Sequence, residues 1–286
     1  MQNPEQGHGT DAVHADAEPG RVALKDHLGW VIHESGPADA QHAILMIPGG
    51  LLPWLFFEDV IAELQGRGDG LRFIATTLPG HAGTPPPQDL SPLACARSAT
   101  RLAKDLGCDM VVGHSIGANV AIEMAVSCDF SGRMVLLSPA FSREDEPGWL
   151  WALDRVGGVP GVGLPAWAAM TSMIPSGMKG MIPPEHRETW IAEMKKNDGR
   201  SFRAAVRAYG EYLRLQPSLV RSLCESQIKA WVVFGGPKDT RLKDEERRLL
   251  DSCSTISLLD WPDAGHNTLG QTSALADLIL SAANDA

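Results

Sequence analysis

The sequence predicts an α/β fold, with a mostly parallel central sheet flanked by helices and interrupted by a helical insertion. Three observations predict it. Short apolar runs alternate with helix-period segments along most of the chain, and such alternation builds parallel βαβ units. The runs are apolar at both of their alternating positions, as strands covered on two faces must be. The alternation also fails once, between about residues 141 and 226, where no convincing strand occurs.

Taken in order, residues 1–20 are polar and read as a flexible tail. Residues 22–24 and 30–33, split by 26–29, resemble a short antiparallel pair. Residues 43–47 form a buried strand that stops at Pro48-Gly49-Gly50. Residues 57–64 have helical spacing and are expected to end at Gly66. Residues 72–77, 110–112 and 134–137 are strands, separated by helices over 90–106 and 118–126. After the insertion come strands at 231–234 and 256–259, with a charged helix over 244–250 between them and a last helix over 273–283. The expected organisation is a tail (1–20), a core (21–140 and 227–286) and the insertion (141–226).

Composition narrows the function classes. The 286 residues are 44% hydrophobic and 21% charged, which excludes a chain disordered throughout. The formal net charge of −10 repels phosphate backbones and anionic lipid, so nucleic acid is not an expected partner. The cysteines (Cys95, Cys108, Cys128, Cys224 and Cys253) are odd in number and lack zinc-ligand spacing, so neither a disulfide framework nor a metal site is expected. Scattered thiols fit a reducing compartment. No signal-peptide core precedes Gly20 and no apolar run is long enough to span a bilayer, so a cytoplasmic protein is the expectation.

The chemistry centres on Gly113-His114-Ser115-Ile116-Gly117. A serine between two glycines, after an apolar strand and before a helix, suits a sharp strained turn that lifts its hydroxyl above the sheet. The bare pattern arises by chance about 0.2 times in a chain of this composition, so its strand–turn–helix context is what gives it weight. The helix N-terminus points at the same spot, and the Ile116 N–H can donate to a developing oxyanion. The phosphate-binding alternatives GxGxxG and GxxxxGK[ST] are absent.

A serine needs a base. His266, just after the last predicted strand, is the candidate; His8, His14, His27, His33 and His42 precede the serine, and His186 lies in the insertion. The base needs an acid to fix its tautomer. Asp239 follows the strand at 231–234, at the carboxyl end where such sheets place their sites. Glu144 and Asp145 are its rivals, with Asp244 and Asp263 less well placed. A second oxyanion donor is expected from the glycine turn after residue 47, with Gly50 first and Leu51 second.

With these residues in view, the sequence resembles the α/β-hydrolase superfamily from about residue 21 onward. The resemblance rests on Ile47-Pro48-Gly49-Gly50, Leu78-Pro79-Gly80-His81-Ala82-Gly83, the Ser115 turn, Phe234-Gly235-Gly236-Pro237-Lys238-Asp239 and Asp263-Ala264-Gly265-His266. Each stands where that superfamily has its oxyanion turn, its post-strand turn, its nucleophile elbow, its acid and its base. Pro48 departs from the frequent His-Gly start, and Ala82 interrupts the usual His-Gly after the second turn. The resemblance implies an α/β-hydrolase fold whose insertion is a helical cap.

The resemblance also implies a serine hydrolase of the carboxylesterase kind, without metal or organic cofactor, acting on an ester or related acyl bond of a hydrophobic small molecule. Trp149, Trp151, Trp167, Met170 and Met173 are the cap side chains expected to bind it. A thioesterase, a lactonase, a carbon–carbon bond hydrolase, an acyltransferase or a hydrolase-fold receptor would use the same triad. The basic stretch with Lys195, Lys196, Arg200, Arg203, Arg207, Arg214 and Arg221 suits either an anionic substrate group or a solvated helix face.

Overall fold

A computed structural model describes residues 24–285, apart from residues 69, 162, 181, 217, 237, 238, 241, 268 and 269; at Leu24, Lys25, Asp26, Trp149 and Leu153 it describes the backbone alone. The expected tail over 1–20 and the first residues of the expected first strand lie outside the described residues.

The apolar runs become one sheet. Its strands are β1 (Leu24–His27), β2 (Trp30–Ser35), β3 (Ala43–Ile47), β4 (Arg72–Thr77), β5 (Met110–His114), β6 (Arg133–Leu137), β7 (Ala230–Gly235) and β8 (Ile256–Trp261). They lie in the order β1-β2-β4-β3-β5-β6-β7-β8. The pairs β1/β2 and β2/β4 are antiparallel, and every other neighbour is parallel. From β3 the chain steps outward to β4, then returns to the other side of β3 as β5. Such a reversal opens a crevice at the carboxyl ends of the strands on either side.

Both faces of the sheet are covered, which is why β3 and β5 read as unbroken apolar runs. Leu45, Ile47, Val111, Leu136 and Val232 face one core with α2 (Pro92–Asp105) and α3 (Ile116–Ser127). Ile44, Met46, Val112, Val135 and Val233 face the other with α1 (Glu58–Arg67) and α10 (Thr272–Asn284). The helix α2 opens as its sequence dictates, with Pro92 at its first position and the Ser91 hydroxyl accepting from the Ala94 N–H at 3.2 Å. The helix α9 (Asp244–Ser252) precedes β8.

Two local expectations are corrected. The first hairpin turns at Leu28-Gly29, both with positive φ (55° and 80°), and not over 26–29. A two-residue turn of that hand matches strand twist, so β1 continues through Asp26. The helix α1 runs through Gly66 and ends at Gly68, whose φ of 75° supplies the left-handed cap.

The segment between β6 and β7 carries α4 (Gly148–Gly157), α5 (Gly163–Met178), α6 (Arg187–Met194), α7 (Gly199–Leu215) and α8 (Leu219–Glu225), with no strand among its described residues. A small apolar cluster of Leu51, Trp167, Phe202 and Val206 joins it to the turn after β3. On one side of that cluster Trp190 and Met194 of α6 belong to the α1 core; on the other, Tyr209, Tyr212 and Leu213 of α7 belong to the α3 core. The α8 helix packs beneath, against α3 and α9.

The cysteines also depart from expectation. Cys224 and Cys253, 29 residues apart with Cα atoms 5.8 Å apart, form a disulfide between α8 and the end of α9, while Cys95, Cys108 and Cys128 are free. Neither spacing nor count signals the pair, because the fold alone brings the two helix ends together. The pair removes the argument from scattered thiols to a reducing compartment. Among the described residues no helix is long and apolar enough to cross a membrane.

Glycine substitutions should separate constrained positions from free ones. A Cβ on Gly117 would stand 2.3 Å from the Ile47 carbonyl oxygen and 2.5 Å from that of Pro48, so Gly117→Ala should lose about 1–3 kcal/mol in denaturant unfolding. Gly66 sits in exposed helix with nothing within 4 Å of an added Cβ, so Gly66→Ala should gain about 0.5–1 kcal/mol.

Candidate active site

The turn after β5 is a left-handed kink at Ser115, with φ 53° and ψ −124°. That conformation costs a non-glycine residue about 1–3 kcal/mol. The flanking glycines relieve contacts with neighbouring backbone more than with the serine itself. A Cβ on Gly113 would stand 2.6 Å from the Gly117 carbonyl oxygen and 2.7 Å from Ala118 Cα, while Gly117 lies against the end of β3. The kink places Ser115 as the residue before α3, and the N–H of Ile116, first in the helix, has no intrahelical acceptor.

Asp239 follows β7 and its side chain is 1% exposed. Its Oδ1 accepts from His266 Nδ1 at 2.7 Å and from the Thr240 N–H at 2.7 Å. Its Oδ2 accepts from the Ser138 hydroxyl at 2.7 Å and from the Gly235 N–H. Burial pushes this carboxyl up, but the hydrogen bonds from His266, Gly235 and Ser138 outweigh burial and hold it below its ordinary value. Gly235 and Gly236 let the loop that carries His266 lie against β7, since a Cβ on Gly236 would stand 2.2 Å from the Pro262 carbonyl oxygen.

His266 lies between acid and serine. With Nδ1 turned to the carboxylate, its proton sits there, and Nε2 is free to accept from the Ser115 hydroxyl 3.2 Å away. Burial lowers its proton affinity, but the hydrogen bond and charge of Asp239 more than offset this, so the net shift is upward. The backbone carbonyl of His266 accepts from His114 Nε2 at 2.8 Å. His114 is buried, stacks on Phe56 with ring centres 4.5 Å apart, and leaves Nδ1 without a partner. Burial first, then the neighbouring His266, lowers its pKa to about 3.

The two choices for a second amide donor separate. The Leu51 N–H donates to His81 Nδ1 at 3.1 Å, and Leu51 does not reach the cavity beside Ser115. Gly50 lines that cavity, and its N–H has no partner among the described residues. His81, 3% exposed and lowered to about 4 by burial, acts as a neutral acceptor there. Asn197, after α6, ties the same corner to the inserted helices. Its Nδ2 donates to the Leu51 carbonyl at 2.9 Å, and its Oδ1 accepts from the Ala82 N–H at 2.8 Å.

A cavity of about 680 Å³ opens over Ser115 and His266. Its apolar wall is Ile116, Pro147, Leu150, Phe202, Ala205 and Val206; Glu144, Asp145, Glu146, Tyr209 and Thr240 supply polar groups. Of the aromatic and methionine side chains expected to line it, Trp151, Trp167, Met170 and Met173 lie elsewhere. Trp167 is buried against Phe202, Met170 packs on the same cluster, and Met173 is 69% exposed. Trp151 donates to the Arg143 carbonyl and borders a separate groove, while the Trp149 side chain lies outside what is described. Large side chains at the insertion's own packing positions are used to hold its helices together. The lining was instead legible as a stripe on α7, since Phe202, Ala205, Val206 and Tyr209 follow helical spacing.

The other expected groups are also placed. Glu144 pairs with Lys243 at 3.1 Å, and Asp145 caps its own loop by accepting from the N–H groups of Phe141 and Ser142. Neither meets His266. No basic side chain from Lys195 to Arg221 lines the cavity; Arg207 faces Asp154 and Arg214 pairs with Glu211 on the outer side of α7. Among the described residues no cluster of histidine, cysteine and acidic side chains could hold a metal ion.

The three histidines should titrate apart. In a histidine-resolved NMR titration, His81 and His114 should stay neutral until about pH 4 and pH 3, while His266 should protonate above 6.5. For the first two, the unfolded chain binds protons near 6.5 that the folded one refuses. Their contribution to stability therefore falls as pH drops below 6.5; that of His266 has the opposite sign and fades as pH rises through its raised pKa.

Comparison with known proteins gives the setting for this geometry. No curated protein matches the chain at a significant level. Among solved structures, the chain is similar to a thioesterase domain from the curacin biosynthetic pathway (19% identity, 88% of this chain and 95% of that one, TM-score 0.65). It is also similar to an esterase from Exiguobacterium antarcticum (13%, 88% and 94%, TM-score 0.69) and to the enol-lactonase from Burkholderia xenovorans (13%, 92% and 100%, TM-score 0.68). At these identities the likeness is one of fold. Residues 44–278 match the model of the Alpha/beta hydrolase family. That match spans most of the chain, from β3 into α10, and the chain belongs to the α/β-hydrolase family.

Proposed function

We propose that the chain is a serine hydrolase that cleaves a carboxylic ester or related acyl bond through an acyl-enzyme. The observation that carries this is the line from Ser115 Oγ to His266 Nε2 (3.2 Å) and from His266 Nδ1 to buried Asp239 (2.7 Å), at the floor of a cavity of about 680 Å³. His266 takes the Ser115 proton as Oγ bonds to the substrate carbonyl carbon. The oxyanion that forms accepts from the N–H groups of Ile116 and Gly50. The imidazolium, stabilised by Asp239, gives its proton to the leaving oxygen as the carbon–oxygen bond breaks. Water then repeats the sequence, losing its proton to His266 and releasing the acid and the serine.

In this reading the helices over 141–226 act as a cap, and the apolar wall takes a hydrophobic acyl or alcohol group. The same parts serve thioesters and lactones, the substrates that two of the similar structures' names carry, because the tetrahedral intermediate is alike in each. Oxygen esters are the first substrates to test.

The test is labelling with a fluorophosphonate and turnover of p-nitrophenyl esters from acetate to laurate. Wild type should label at Ser115 and turn over, and Ser115→Ala should do neither; equal labelling of the variant would sink the assignment. Asp239→Asn should lower kcat on the order of 10³–10⁴-fold, through loss of the correct His266 tautomer. The acid limb of kcat/KM should report a pKa above 6.5, because only neutral His266 can accept the serine proton. An acid limb below 6.5 would assign the base elsewhere.

A further inference from the structure

Glu146 is a carboxyl that this mechanism leaves without a task. It lines the cavity beside Ser115, and burial raises its proton affinity. Its neighbours in sequence are committed, Glu144 to Lys243 and Asp145 to its own loop. Its Oε1 lies 2.8 Å from the Tyr209 hydroxyl, which lies 3.1 Å from Asn119 Oδ1. The Asn119 amide is oriented, since Nδ2 donates to the Ala140 carbonyl at 2.6 Å and Oδ1 accepts from the Ala140 N–H at 3.3 Å. Tyr209 therefore faces an oxygen on each side and has one proton to give.

Counting protons settles the form of Glu146. A carboxylate would leave one of the two short oxygen–oxygen contacts without a hydrogen. A neutral acid satisfies both, with Glu146 donating to Tyr209 and Tyr209 donating to Asn119. Its second oxygen is then a carbonyl acceptor, and Oε2 has no partner among the described residues. An acceptor open to the cavity favours a ligand donor and disfavours a ligand anion.

We propose that Glu146 sets substrate specificity, its carbonyl oxygen reading a hydroxyl or other hydrogen-bond donor on the acyl or alcohol chain of the substrate. The proposal rests on the acyl-transfer reading of the same site. It predicts that this enzyme takes hydroxylated esters in preference to plain ones, and plain ones in preference to those ending in a carboxylate.

Two ester series test it. One pairs p-nitrophenyl ω-hydroxyalkanoates of four to ten carbons with plain and ω-carboxy esters of equal length; the other pairs diol monobutyrates with alkyl butyrates. Wild type should favour the hydroxy ester about two- to ten-fold in kcat/KM at one length in at least one series, the worth of one neutral hydrogen bond. The ratio is read within each variant, so a general loss of activity cancels. Glu146→Gln can donate to Tyr209 and present the same carbonyl oxygen, and should keep the ratio. Glu146→Met should bring it to about one. No preference at any length in either series, a preference for ω-carboxy esters, or a ratio that survives Glu146→Met would overturn the proposal while leaving the hydrolase reading intact. Failure to turn over any ester in either series would overturn the proposal, and absence of fluorophosphonate labelling at Ser115 as well would sink the hydrolase reading with it.

Discussion

At the carboxyl end of β5 three stretches of backbone pass closer than side chains allow, and the site depends on that approach. Gly117 lets the first turn of α3 sit against the carbonyls of Ile47 and Pro48, and Gly113 lets β5 pass under the same turn. The turn after β3, with Gly49 and Gly50, is thereby brought beside Ser115. Gly49 also leaves room for the His114 ring, whose Nδ1 would stand 2.8 Å from an added Cβ. The approach is repeated on the far side, where Gly235 and Gly236 admit the loop that carries His266. Missing side chains set where the hydroxyl, the imidazole and the free amides lie.

Electrostatics then divides the histidines by burial and partner. Asp239 is surrounded by four donors, so it stays a carboxylate and draws His266 toward its charged form. His81 and His114 have no carboxylate against them and are held neutral by burial, which suits them to act as struts. One accepts from Leu51, and the other donates to the His266 carbonyl. The orphaned Nδ1 of His114 costs about 1–3 kcal/mol. That cost is the counterpart of a donor placed where a phenylalanine could supply none.

The fold was legible because its strands obey local rules. Seven of the expected runs became the strands β2 to β8, and the glycine-flanked serine marked the switch point between β3 and β5. The order of Ser115, Asp239 and His266 along the chain could be read because each follows a strand end, and the structure brings the three into one hydrogen-bonded line. What escaped was set by tertiary contact. Nothing local distinguishes Ser138 from any serine after a strand, yet it is buried with φ 50° and donates to Asp239. Asn197 reaches back over one hundred residues to the Leu51 carbonyl. Cys224 meets Cys253 only because α8 packs under α9. Trp151 and Trp167 fall outside the cavity lining because size signals burial without saying against what, and Trp167 is buried against the insertion's own helices.

The α7 helix ties the wall of the cavity to the core of the protein. Its first half gives Phe202 and Val206 to the cavity, Tyr209 serves both cavity and core, and Tyr212 and Leu213 belong to the core beside α3. Wall and core are therefore one continuous helix, and a substitution at Tyr209 acts on both. By contrast α5 contributes Trp167 and Thr171 inward while Met173 and Leu164 lie open to solvent. Changes on that outer face leave the wall untouched. The α7 wall is thus tied to the packing of the sheet, whereas the outer face of α5 is tied to neither.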